Sequence, residues 1–100
     1  MINAQIAIPQ SEIAAFCQRY PIRRLSLFGS VLRNDFSPES DIDVLVEFEP
    51  NAGIGYFELV AMQDRLSTTL GREIDLLTPD AISHNFRQEV LEATQVIYAS

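Results

Sequence analysis

The stretch LFGSVLRNDFSPESDIDVLV, residues 27–46, joins two apolar runs through a polar connection. The first run ends at Gly29 and Ser30, and the second begins with Asp41 and Asp43, one residue apart. Because a strand alternates its faces, Asp41 and Asp43 share one face if the second run is a strand. Two carboxylates about 7 Å apart repel each other, and a hard cation such as Mg²⁺ relieves that repulsion. Backbone N–H groups and a hydroxyl in the Gly-Ser turn suit phosphate. The stretch therefore indicates metal-assisted nucleotide chemistry.

At these residues the chain resembles the DNA polymerase β-like nucleotidyltransferase superfamily. The sequence Gly29-Ser30, a gap of ten residues and then Asp41-Ile42-Asp43 is similar to the signature of that superfamily. In a chain of 100 residues, the fuller string from Gly29 to Val46 is most similar to the minimal nucleotidyltransferases. Those include the MntA-type antitoxins that are paired with HEPN-domain toxins. The resemblance extends from about residue 22 to residue 98.

A third carboxylate is expected at Asp75, within the apolar sequence Ile74-Asp75-Leu76. If its strand runs parallel to the strand that carries Asp43, the two carboxylates lie at nearly the same level. The resemblance implies the same position for the last acidic residue of the catalytic triad. We therefore predict that two Mg²⁺ ions, or Mn²⁺, are held by the three catalytic carboxylates, Asp41, Asp43 and Asp75.

The nucleotide is expected at the turn between the two apolar runs. Gly29 and Ser30 are predicted to contact the phosphates of ATP. Arg33 is a further candidate for the triphosphate, although a structural contact with Asp35 or Glu39 explains it equally well. Tyr56 and Phe57 could stack on an adenine base, but we expect them to pack in the core.

By resemblance to the minimal antitoxin enzymes, the reaction transfers AMP from ATP to a hydroxyl. The acceptor implied is a tyrosine of a HEPN-domain toxin, which the modification silences. A module that only binds and masks the toxin, with nucleotide as a structural ligand, is an alternative. An adenylyltransferase for small molecules is a third interpretation, although such enzymes usually carry a second domain for the acceptor.

Composition restricts the partners and the compartment. The net charge is −7 and the seven basic residues are all arginines, so no direct contact with nucleic acid is expected. An acidic chain fits a basic protein partner, or it serves solubility alone. No apolar run is long enough to span a membrane, and residues 1–9 do not resemble a signal peptide. With one cysteine, Cys17, these features favour the cytoplasm.

The expected fold class is α/β, of the α+β type, in one domain over residues 1–100. Helices are predicted from Ser11, with that residue as N-cap, and over residues 57–70 and 83–93. Strands are predicted over residues 22–28, 41–48 and 72–77, with a short apolar tail at residues 96–98. The result is a nucleotidyltransferase fold with a small mixed three-stranded sheet flanked by helices.

Overall fold

Four strands form one mixed sheet in the order β3-β2-β1-β4. The computed structural model describes residues 8–32, 41–82 and 84–99. The elements run in chain order as α1 (Gln10–Arg19), β1 (Ile22–Phe28), a 3-10 helix (Gly29–Leu32), β2 (Ile42–Phe48), α2 (Tyr56–Leu70), β3 (Ile74–Leu77), a second 3-10 helix (Pro79–Ala81), α3 (His84–Glu92) and β4 (Gln95–Ala99). Strands β1 and β2 are antiparallel, whereas β2 and β3 are parallel, so the sheet is mixed, as predicted.

The fourth strand corrects the expected three-stranded sheet. Residues 95–99, predicted as a short tail, pair with β1 in antiparallel fashion, and Tyr98 lies opposite Leu25. A five-residue strand whose residues are half-buried or exposed has too weak an alternation to be recognised alone. Its pairing with β1, more than sixty residues earlier in the chain, is what fixes it as a strand.

One face of the sheet packs against α1 and α2 to form the core. Ile13, Phe16 and Cys17 contribute the buried face of α1, while Met62 and Leu66 contribute that of α2. The sheet meets them with alternate side chains of three strands, listed here: Leu25, Leu27, Ile42, Val44, Val46, Ile74 and Leu76. Because the alternation is strict in β2, the intervening residues face the other side of the sheet.

That second face differs along its length. Ser26 and Leu45 are opposite each other in the β1–β2 ladder and are both buried. The 3-10 helix Pro79–Ala81 contacts β2, and the next residue, Ile82, is also buried. Toward the start of β2, by contrast, Asp43 is half-buried and Asp75 in β3 is exposed. The carboxylates of Asp43 and Asp75 therefore lie at one end of this face.

Helix ends follow local sequence signals, with one correction. Gly71 ends α2 in the left-handed conformation (φ 67°), and its N–H donates to the carbonyl of Ser67. The predicted cap at Ser11 is wrong, because α1 begins at Gln10 with Pro9 in the cap position. Proline has its φ fixed near the value a helix entry needs, so it can start the helix one residue earlier.

The edge strand β3 is held by a side chain of α2. The amide oxygen Oε1 of Gln63 accepts a hydrogen bond from the backbone N–H of Leu76 at 3.0 Å.

No helix among the described residues is long and apolar enough to cross a membrane.

Candidate active site

The register between β1 and β2 brings the end of the first apolar run to the start of the second. Phe28, the last residue of β1, lies opposite Asp43, and Leu27 lies opposite Val44. Gly29 therefore leaves the sheet immediately beside Asp43. The antiparallel pairing of β1 with β2 is what brings Gly29 and Asp43 together.

Gly29 is required at its position for two reasons. Its φ of 76° lies in the left-handed region that glycine adopts without steric cost. A Cβ at this position would overlap Oδ2 of Asp43 and would lie 3.3 Å from its Cγ. The carboxylate of Asp43 thus packs directly against the backbone of the turn, and any side chain at residue 29 would displace it.

Asp43 and Asp75 are neighbours across the parallel ladder. They are Cα partners in the β2–β3 pairing, between the pairs Ile42–Ile74 and Val44–Leu76. Paired residues on adjacent parallel strands point to the same face, with backbones about 4.8 Å apart. The predicted level of Asp75 relative to Asp43 is confirmed. Both carboxylates therefore lie on the face opposite the core, at the end of the sheet where β1 leads into the Gly29 turn.

Asp41 lies directly before β2 and is exposed. The carbonyl of Glu73 accepts the N–H of Ile42 at 3.0 Å, which fixes the start of β2 against the residue before β3. Within residues 8–32, 41–82 and 84–99, no three His, Cys, Asp or Glu side chains are placed to hold a metal ion together. The donor set of Asp41, Asp43 and Asp75 contains only oxygen, which suits Mg²⁺. Its role as a three-ligand set stays a prediction.

The remaining phosphate candidates lie at the same end of the molecule or outside the described residues. Ser30 is the second residue of the 3-10 helix Gly29–Leu32, which contacts both β1 and β2. Its backbone therefore follows Gly29 beside the carboxylates. Arg33 lies outside the described residues, and so does the connection as far as residue 40.

Cys17 is excluded as a nucleophile by its surroundings. Its side chain is 1% exposed in the core between α1 and the sheet. Burial raises the pKa of its thiol from 9.0 to about 12, so the reactive thiolate is not populated near neutral pH. Cys17 is therefore a small buried hydrophobic residue of the core.

The expected core packing of Tyr56 and Phe57 is wrong. Tyr56 is 75% exposed and Phe57 is 87% exposed. They begin α2 at the end of the sheet where β2 finishes, whereas Asp43 lies near the start of β2. Phe57 is turned about 160° around the helix from Leu59, which packs against the core. That angle was the sequence signal for its exposure.

Comparison with known proteins agrees with the fold. Residues 12–97 match the family described as nucleotidyltransferase domain. A candidate protein adenylyltransferase of Methanocaldococcus jannaschii, MJ0435, is 38% identical over 87 residues, which cover 86% of this chain and 91% of the relative. The protein adenylyltransferase MntA of Thermococcus cleftensis is 27% identical over 81 residues, covering 81% of this chain and 78% of the relative.

Solved structures share the architecture. A candidate minimal nucleotidyltransferase has a TM-score of 0.72 at 27% identity, and the match covers 86% of each chain. A toxin–antitoxin structure with AMP-PNP has a TM-score of 0.74 at 18% identity, covering 93% of this chain and 75% of the other. At 18% identity, the likeness to the toxin–antitoxin structure shows a shared fold only.

The chain has the fold of a nucleotidyltransferase, with two carboxylates beside a glycine turn at one end of a mixed sheet. It belongs to the nucleotidyltransferase domain family, as its match over residues 12–97 shows. The resemblance to the minimal nucleotidyltransferases of the MntA type is confirmed by these relatives.

Proposed function

We propose that this chain is a protein adenylyltransferase of the cytoplasm that transfers AMP from Mg²⁺-bound ATP to a tyrosine hydroxyl of a HEPN-type toxin, and that it thereby acts as an antitoxin. The observation that carries the proposal is the contact between the Gly29 turn and Asp43, with Asp75 beside Asp43 in the ladder. A family of nucleotidyltransferases, relatives named adenylyltransferases, and a toxin–antitoxin structure with an ATP analogue support it.

The proposed transfer needs a triphosphate and a hydroxyl held in line. The acceptor oxygen forms a bond to the α-phosphorus, the bond from that phosphorus to the bridging oxygen breaks, and pyrophosphate leaves with the negative charge. The acceptor proton is released to solvent. Magnesium bound by Asp41, Asp43 and Asp75 would supply charge neutralisation and would lower the pKa of the acceptor hydroxyl.

The side chains and backbone of the chain would position these groups. Because residue 29 has no Cβ, the Asp43 carboxylate and a phosphate can both approach the turn closely. The backbone N–H groups that follow at Ser30 would donate to phosphate oxygens. Asp75 is exposed, so its carboxylate is accessible to a ligand that Asp43 also contacts. The roles of these residues, and of Arg33 at the triphosphate, are part of the proposal.

Mass measurement of the partner tests the proposal. A purified HEPN-type toxin is incubated with Mg²⁺–ATP and with wild type, Asp43→Asn or Asp64→Asn. Asp64 is an exposed carboxylate of α2, so its variant removes the same charge away from the site. We expect AMP to be added by wild type and by Asp64→Asn, but not by Asp43→Asn.

The alternative, a module that masks the toxin without chemistry, gives a different result in the same experiment. If wild type and Asp43→Asn both inhibit the toxin and neither changes its mass, the transfer is wrong and masking is correct. The neighbouring carboxylates Asp43 and Asp75 argue for chemistry, because a pure binding module gains nothing by keeping like charges side by side.

A further inference from the structure

A cleft lies at the end of the molecule opposite the candidate active site. It has a volume of about 590 Å³ and is bounded by the end of β2, the start of α2 and the turn after β3. Phe48, Ile54 and Leu59 supply apolar lining, while Arg23, Glu47 and Asp80 supply charges. The nucleotide site proposed above uses none of these residues. Strand β2 has seven residues and so separates the two sites by roughly 20 Å.

Two aromatic side chains at the rim of this cleft are exposed to solvent. Tyr56 lines the cleft and Phe57 follows it, and their rings meet edge to face with centroids 6.1 Å apart. An aromatic side chain offers about 150–250 Å² for burial, so this pair exposes on the order of 300 Å². Val60, one turn along α2, is also exposed and extends the apolar surface. A contiguous apolar surface of this size matches the largest patch on a typical monomeric protein, and such patches are often functional.

The charges around the aromatic pair restrict what can cover it. Four carboxylates lie in the cleft or next to it in the sequence. Glu47 and Asp80 line the cleft, Glu49 follows the lining residue Phe48, and Glu58 follows Phe57. Two guanidinium groups accompany them. Arg23 lines the cleft, and Nε and Nη2 of Arg24 donate to the Glu47 carboxylate at 2.6 and 2.8 Å. The surface is therefore acidic overall. A second copy would bring the same excess of negative charge, and the chain as a whole has a net charge of −7.

We propose that Tyr56, Phe57 and the adjoining cleft form a docking surface for a basic protein segment that inserts an apolar side chain. The aromatic pair would provide the central contacts, and the surrounding carboxylates would select a partner with arginine or lysine beside that side chain. The identity of the partner rests on the proposed function, because we take the protein that docks here to be the one that is adenylylated. Docking and transfer then use opposite ends of the same sheet.

Binding of the HEPN-type toxin to variants of the full chain tests this surface. Tyr56→Ser combined with Phe57→Ser removes the aromatic pair, and Leu91→Ser removes an exposed apolar side chain of α3 as the matched control. Loss of two central aromatic contacts typically weakens binding by ~30-fold or more. We expect that loss for the double variant, an unchanged dissociation constant for Leu91→Ser, and weaker binding by wild type as salt is raised. Circular dichroism establishes that each variant is folded.

Kinetics of AMP transfer separate docking from chemistry. We expect the double variant to raise KM for the toxin at least tenfold with kcat unchanged, since Tyr56 and Phe57 lie far from the carboxylates. If the toxin binds the double variant as tightly as it binds wild type, the proposed docking surface is wrong. The proposed adenylyltransferase function is unaffected by that result. If binding depends on Tyr56 and Phe57 but no AMP is added by wild type, the docking surface stands and the proposed function fails.

Self-association provides the last discriminating result. Sedimentation of the chain alone is expected to show a monomer at all salt concentrations. A dimer that the Tyr56→Ser, Phe57→Ser variant abolishes would show that a second copy covers the surface, and it would overturn the proposal of a basic partner.

Discussion

The carboxylate of Asp43 occupies the space that a side chain at Gly29 would need. The two residues belong to the two apolar runs that flank the polar connection, and the register of β1 with β2 brings them into contact. The loss of stability when a methyl group is added at residue 29 therefore measures how closely the turn and the carboxylate pack.

Gly29→Ala is expected to destabilise the fold more than Gly71→Ala does. Both glycines have positive φ, 76° and 67°, so each substitution has a backbone cost of about 1–2 kcal/mol. At Gly71 a new Cβ meets no atom within 4 Å, whereas at Gly29 it overlaps Asp43, which adds about 1–3 kcal/mol. Urea unfolding of the two variants measures the difference.

A double-mutant cycle identifies the cause of that difference. In an Asp43→Ala background, Gly29→Ala should cost only as much as Gly71→Ala, because the remaining Cβ of residue 43 lies at an ordinary 3.5 Å. An undiminished cost in that background would mean that the backbone, and not the carboxylate, excludes a side chain.

Mg²⁺–ATP is expected to raise the melting temperature of wild type by several degrees. A ligand that binds only the folded state at a hundred times its dissociation constant adds about 2.7 kcal/mol. Asp43→Asn should lose the response and Asp64→Asn should keep it, since only Asp43 lies beside the Gly29 turn. Thermal melts of the three proteins with and without Mg²⁺–ATP make the measurement. Equal shifts in all three would place the ligand elsewhere.

The ion pair between Arg24 and Glu47 is expected to contribute little to stability. Its geometry is good, because Nε and Nη2 of Arg24 donate to the two oxygens of the Glu47 carboxylate at 2.6 and 2.8 Å. The Arg24 side chain is 46% exposed, however, and water screens the pair. A cycle of Arg24→Ala and Glu47→Ala should give a coupling below about 1 kcal/mol that shrinks with salt. A coupling above about 2 kcal/mol, insensitive to salt, would contradict this.

The Cys17 thiol should resist modification until the protein unfolds. Its pKa of about 12 leaves it protonated at pH 8, and the side chain is buried. In the unfolded chain the Cys17 thiol ionises near pH 9, so above that pH the unfolded state binds fewer protons than the folded state. The contribution of Cys17 to stability is therefore complete below pH 9 and is lost as pH rises toward 12. Labelling with a thiol reagent and unfolding alongside Cys17→Ala test both expectations, and fast labelling of the native protein would refute burial.

The carboxylates and the core could be predicted from sequence because their signals are local or alternate regularly. Alternation in β2 separates Asp43 from the buried Val44, and the crossover helix places Asp75 at the same level. The strand β4 could not be predicted, because only its pairing with β1 distinguishes it from a tail. The exposed pair at Tyr56 and Phe57 was also missed, since aromatic residues beside an apolar stripe are usually buried.

The hydrogen bond from Leu76 to Gln63 has a consequence for assembly. An edge strand normally offers a row of unpaired backbone groups with which a strand of another chain can pair, and edge-to-edge aggregation of sheets begins in this way. In β3 that row is only four residues long, and a side chain from the same molecule already occupies one donor. Fibre growth or capture of an extended peptide is therefore disfavoured on the side of β3. Any complex that lengthens this sheet would add its strand beside β4.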